Sequence, residues 1–162
     1  MTDFDAYARS ARQALLRFAV VLTDDPELAQ DVVHDVLLKA HQQWDVIGRA
    51  EHPHAYERRM LVNRVISWRR KWSRLEVRPV EQLDRALADP TDAVDRRDAL
   101  LGRLARLPVK QRAAVVMRYL EDMSDADIAD ALGCSASTVR VHVHRGLAAL
   151  RVEQASPARK ES

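Results

Sequence analysis

The stretch Glu121–Arg151, EDMSDADIADALGCSASTVRVHVHRGLAALR, leaves few folds open because it fixes two helix starts and the turn between them. Ser124 with Asp127 three residues on has the form of a capping box, which satisfies free amides at a helix start. Ile128, Ala129 and Leu132 then recur at helical spacing, and Gly133 supplies a residue that turns left-handed just past the end. Ser135 can cap again, and Val139, Val143, Leu147 and Leu150 make one apolar stripe on a second helix. Two short helices joined by a tight Gly-containing turn are the signature of a helix-turn-helix. The second helix carries Arg140, His142, His144, Arg145 and Arg151, with no acid between Ser135 and Arg151. That charge suits a recognition helix in a DNA major groove. An ordinary helical hairpin with a solvated basic face is the alternative; agreement of caps, turn and charge favours DNA.

The rest of the chain bounds what this motif belongs to. At 162 residues it makes one domain or two small ones, and only four Gly and six Pro point to an all-α protein. The net charge of +2 hides patches: Asp24 to Asp35 holds five acids and no Lys or Arg, whereas His54 to Arg78 holds eight Lys/Arg against two Glu. The single Cys134 rules out an internal disulfide and reads as a packing residue in the turn. The charged N-terminus lacks a signal-peptide core, and no apolar run nears the roughly 18 residues of a membrane span. The expectation is a soluble, cytoplasmic protein.

In chain order, Phe4, Ala8, Ala11, Leu15, Phe18 and Leu22 predict an amphipathic first helix to about Leu22. Asp25 then caps a second helix with Pro26 at its first position, running to about Gln43 with Leu28, Val32, Val33, Val36, Leu37 and Ala40 inward. Its other face shows Asp24, Glu27, Asp31 and Asp35. A loop, Trp44 to His52, leads to a third helix from Pro53 to about Ser73. There Ala55, Leu61, Val62, Val65 and Ile66 face inward, while Arg58, Arg59, Arg64, Arg69, Arg70, Lys71 and Arg74 decorate the rest, with Trp68 and Trp72 among them. Basic and aromatic residues so interleaved suit nucleic acid through phosphate pairing and base stacking, although Trp72 alone reads better as a core cap. Helical periodicity lapses around 76–91, read as an extended interdomain linker that leaves two domains free to sit apart. Thr91 restarts helix with Val94, Leu101, Leu104 and Leu107 on one face. Pro108 opens another helix to about Leu120, with Val115, Val116 and Tyr119 buried, so the second domain has about four helices.

An acidic face serves a protein partner, and a basic, aromatic helix beside a loop serves DNA whose bases unstack. With a helix-turn-helix, these are the needs of a transcription initiation specificity subunit. Three stretches, Leu22–Trp44, Ala55–Lys71 and Leu107–Arg151, resemble bacterial sigma-70-type factors of the extracytoplasmic function (ECF) group, most closely the actinobacterial SigE family. The resemblance implies a region 2-like domain at 1–75 and the linker at 76–91. It implies a region 4-like domain at 92–152, leaving a polar, disordered tail at 153–162. By matching position, Asp31, Asp35 and Leu38 fall in the helix that docks on the β′ clamp coiled coil of RNA polymerase core, although a merely solvated face is the alternative. The β flap is a second expected contact of the core enzyme. The resemblance assigns Trp44–His52 and the third helix to −10 recognition and melting. Asn63 lies in the family's Leu-Val-Asn motif near the flipped base, though its amide could instead serve a buried network. Arg58, Arg59, Trp68, Arg69, Arg70 and Lys71 belong to the same surface, the last three as phosphate contacts.

In the second domain Ser137, Thr138, Arg140, Val141, His142, His144 and Arg145 occupy recognition-helix positions facing the −35 element. Arg can read guanine, while Ser, Thr and helix-start amides suit phosphate. Val141 and His144 depart from the small residues expected there, which leaves the −35 sequence open, and Gly146 stands where Ala is usual and weakens the helix slightly. Promoter DNA and RNA polymerase core are thus the expected partners, and the resemblance also admits an anti-sigma factor. No P-loop or Gly-rich fingerprint is present, so no cofactor and no enzymatic activity are expected. No metal is expected either: His142 and His144 sit on different sides of their helix, and His52 and His54 lack further ligands. The main rival is a helix-turn-helix regulator that binds duplex DNA without polymerase.

Overall fold

The computed structural model describes residues 3–74 and 93–155, and every regular element among them is an α-helix. The stretch assigned as linker at 76–91, Thr91 and the tail beyond Ala155 lie outside the described residues, as do the side chains of Trp72 and Val94.

The first unit holds α1 (Phe4–Thr23), α2 (Pro26–Gln42), α3 (Trp44–Ile47) and α4 (Pro53–Arg74). The helix ends follow the local chemistry. Asp24 closes α1 in the left-handed region at φ 53°. Asp25 caps α2 by accepting from the amides of Glu27 and Leu28 at 3.1 and 3.2 Å. Buried Thr23 ties the junction, its hydroxyl donating to the Ala19 carbonyl at 2.7 Å. The stretch Trp44–His52 is not a plain loop: one helical turn, α3, forms there because Ile47 is fully buried and pulls the backbone inward. Trp44 then stacks into a ring cluster with Phe4 and Tyr7, at centroid distances of 5.4 and 4.8 Å.

The second unit holds α5 (Ala93–Ala105), α6 (Val109–Tyr119), α7 (Asp125–Leu132) and α8 (Ala136–Ala155). Its last helix outruns Arg151, so the backbone of 153–155 is helical rather than tail. Tyr119, expected inside, is 60% exposed, because α6 ends there and its inward stripe is Arg112, Val115 and Val116 instead. Gly146 has a role beyond propensity. A Cβ there would lie 2.7 Å from Val115 Cγ2, so the glycine lets α8 close onto α6. Gly146→Ala is therefore expected to destabilise by about 1 kcal/mol, crowding outweighing the helix gain. In that background Val115→Ala should cost less than it does alone in urea titrations, and strictly additive losses would contradict the crowding.

The two units do not sit apart here. Helix α4 lies against α7 and α6, and α1 lies against α5 and α6. One buried apolar cluster runs from Leu15 and Phe18 through Val65 to Val115, Ile128 and Val139. The expected independence of the domains meets a physical reason for contact: the interface hides apolar surface and matches charges across it.

Candidate nucleic-acid interface

The helix-turn-helix forms as its residues require. Ser124 Oγ accepts from the Asp127 amide at 3.1 Å, Gly133 takes φ 66°, and Ser135 Oγ accepts from the Thr138 amide at 3.2 Å. Val139 and Val143 are buried on the inner side of α8, and Cys134 packs against the core in the turn. Ser137, Arg140, Val141, His144 and Arg145 stand exposed on the outer side, with Thr138 half-buried. Arg140 is steadied by Asp125, Nη1 to Oδ2 3.8 Å, and Asp125 also holds Arg118 at 2.5 Å. His142 departs from this outward set. It is half-buried with Nδ1 lacking a hydrogen bond, and burial, then Lys110 and Arg145, lower its pKa so that it stays neutral at pH 7.

On the first unit, Arg59, Asn63, Arg70 and Lys71 are exposed along α4, while Trp68 and Arg69 are half-buried. Burial lowers the Arg69 pKa, with Asp24 nearby acting to raise it. Arg58 must be corrected. It is buried, 5% exposed, and it cannot meet a phosphate in this arrangement. Its Nε and Nη2 donate to the two carboxylate oxygens of Glu121 at 3.0 and 2.8 Å, and its guanidinium lies 5.7 Å from the Phe18 ring centroid. Its register explains this, since Arg58 falls on the inward stripe of α4 between Ala55 and Leu61. Arg59 lies beside the turn of the helix-turn-helix, its Nη2 3.7 Å from where a Cβ on Gly133 would be.

On α2, Asp31 and Leu38 are exposed, whereas Asp35 accepts from Arg64 Nη2 at 3.1 Å. Asp31, Asp35 and Leu38 thus share a face of α2, with Asp35 already paired to α4.

Three charges that sequence reasoning passed over meet at the junction of the units, two of them fully buried and one half-buried. Glu57 is fully buried. Its carboxylate and the Tyr7 hydroxyl have no hydrogen bond of standard geometry, yet lie close enough to perturb each other's proton. Burial pushes Glu57 up to about 7, against the opposing pulls of Tyr7 and Arg58. Arg112 is also fully buried and donates to the carbonyls of Leu22, Ala105 and Leu107, joining α6 to α1. Burial, then Arg69, pushes it down to about 9, which leaves it charged at neutral pH. Glu121 is the third. The signal in the sequence was positional: Arg112 and Arg58 both occupy apolar-stripe positions.

Glu57 makes stability depend on pH. Its folded pKa of about 7 lies above the ordinary 4.5, so between these values the unfolded chain releases a proton that the folded chain keeps. Stability falls as pH rises through that window and levels off above it. Glu57→Gln, which cannot ionise, should therefore gain on wild type as pH rises from 5 to 8, by as much as about 3 kcal/mol. Urea midpoints at the two pH values check this, and a constant difference would refute it.

Exposed cations on a capped second helix and along α4, with an acidic face on α2, fit a DNA-binding protein that also engages a protein partner. Residues 5–75 match the Sigma-70 region 2 family, and residues 97–150 match the family described as Sigma-70, region 4. The RNA polymerase sigma-E factor of Streptomyces avermitilis is 41% identical over 152 residues, covering 93% of this chain and 84% of that protein. The ECF RNA polymerase sigma factor SigL of Mycobacterium tuberculosis is 33% identical over 145 residues, covering 85% and 81%. The sigma factor RpoE of Bartonella quintana, solved in complex with the anti-sigma factor NepR, superposes with a TM-score of 0.76 at 25% identity, covering 93% of this chain and 96% of that one. The chain belongs to the ECF group of the sigma-70 family of RNA polymerase sigma factors. Its function is that of a sigma factor in transcription initiation, and the free-standing regulator is not favoured.

Proposed function

We propose that this factor reads promoters at two places while docked on core polymerase. Helix α8 reads the −35 element as duplex through Ser137, Thr138, Arg140, Val141, His144 and Arg145, with His142 tuning from the side. Helix α4 and the α3 turn capture unstacked −10 bases, with Asn63 at a base edge, Trp68 stacking, and Arg59, Arg69, Arg70 and Lys71 on phosphates. Arg58 joins them only after the units separate. Asp31, Asp35 and Leu38 dock on the β′ clamp coiled coil, the acids steering approach to a basic partner surface, and the β flap takes the second unit.

The observation that carries this reading is the occurrence of both sigma regions, in order, with the recognition face of α8 exposed. Trapping the open strand offsets the cost of melting, and the phosphoryl chemistry is the polymerase's, so the factor is no enzyme itself. It works in the cytoplasm; no helix among the described residues is long and apolar enough to cross a membrane. An anti-sigma factor is a further partner, supported by the solved relative bound to one.

Run-off transcription with purified core enzyme tests the reading, and no promoter-specific product beyond core alone would sink it. Arg140→Ala should weaken −35-dependent binding about tenfold, the scale of one lost base contact. Asn63→Ala should slow open-complex formation by a similar factor while leaving duplex binding intact. Wild-type transcription from both variants would contradict the assignment of residues.

A further inference from the structure

A groove runs between α4 and the start of α6, with α8 at one end. Its wider half, about 680 Å3, is lined by Asn63, Ile66, Ser67, Arg70, Lys71 and Lys110. The narrower half, about 460 Å3, continues over Pro108 and Val109 to His142, with Arg69 at its edge. Ile66, Arg70 and Lys110 line both halves, so the surface is continuous.

Three features define what fits. Among the described residues no carboxylate lines either half, and Arg70, Lys71 and Lys110 pair with none. The wider end is therefore a concentrated positive field awaiting an anion. The narrower end has an apolar floor of Ile66, Pro108 and Val109, which gives an anion alone nothing to bury. Each half falls in the roughly 300–1,000 Å3 range of small-molecule sites. A ligand charged at one end and flat and apolar at the other matches both.

We propose that the groove binds a nucleoside polyphosphate, its phosphates against Arg70, Lys71 and Lys110 and its base over Ile66, Pro108 and Val109. Lys110 and His142 belong to the second unit, so the site exists only while the units are together. Anything bound there favours that state by mass action. It also covers Asn63, Arg70 and Lys71. On the proposed −10 reading, the nucleotide holds the factor inactive.

Titration calorimetry on the full chain, free of polymerase, tests this with GTP, inorganic tripolyphosphate and a short single-stranded oligonucleotide. GTP should bind once per chain, several-fold tighter than tripolyphosphate. Lys110→Ala should weaken GTP about tenfold while oligonucleotide binding holds, and Arg9→Ala on the exposed side of α1 should change neither. Absence of saturable GTP binding, or equal affinity in Lys110→Ala, would overturn the proposal. So would tripolyphosphate binding as tightly as GTP, or oligonucleotide affinity falling in step with it. Promoter opening by Lys110→Ala with core polymerase and no nucleotide present reads the sigma function separately, and should match wild type.

Discussion

Replacing Arg112 with methionine is expected to lower the thermal midpoint by about 10 °C, the result of losing about 3–4 kcal/mol in a chain this size. Methionine fills much of the space, so this is not chiefly a cavity effect. The loss lies in the carbonyls of Leu22, Ala105 and Leu107, which the guanidinium serves at once and no thioether can satisfy. Removing the buried charge returns some desolvation energy, which keeps the figure below the sum of three charge-assisted bonds. Arg112→Lys should fall between, since an ammonium keeps the charge but not the planar fork. A midpoint within about 2 °C of wild type for Arg112→Met would mean that water replaces the guanidinium.

Glu121→Arg should separate the two units. It sets a second cation against Arg58, whose side chain is 6% exposed and already has Nη1 without a hydrogen bond. Breaking a buried pair from one side costs about 3–5 kcal/mol, and like charge adds to it. The chain can avoid that cost by letting α7 leave α4 while each helical unit keeps its own core. Small-angle scattering should then show a radius of gyration several ångströms above the roughly 15 Å of a compact body of this length. Arg58→Glu in the same chain should restore compactness by swapping the charges. An unchanged radius for Glu121→Arg would show that Arg112 and the apolar contacts suffice to hold the units.

Much of this is legible in the sequence, wherever the determinant is local. The caps at Asp25, Ser124 and Ser135, the left-handed Gly133, and the buried valines of α8 each depend on residues within a turn of one another. What escaped were choices made between distant segments. Ile47 drew a turn of helix into an expected loop because a core existed to receive it. Gly146 looked like a weak helix residue until Val115 was set beside it. Arg58 illustrates the limit best. Its charge spoke for phosphate and its register for the interior, and only Glu121, 63 positions away, decides between them. His142 is similar: shared helix and shared charge grouped it with Arg140, but Lys110 and the groove claim it.

The packing of α7 on α4 also sets a limit of length. For a factor that reads −35 and −10 as proposed, the two sites lie about 25 base pairs apart, or about 85 Å along B-form DNA. Two units in contact cannot straddle that distance. Even fully drawn out, residues 75–92 add at most about 65 Å between them, so the span needs both the tether and the breadth of the units. On that reading the protein would work as a pair of dividers, spanning a promoter when open and measuring nothing when shut. Shortening the tether should penalise promoters with long spacers first, with each unit's own grip on its DNA element untouched.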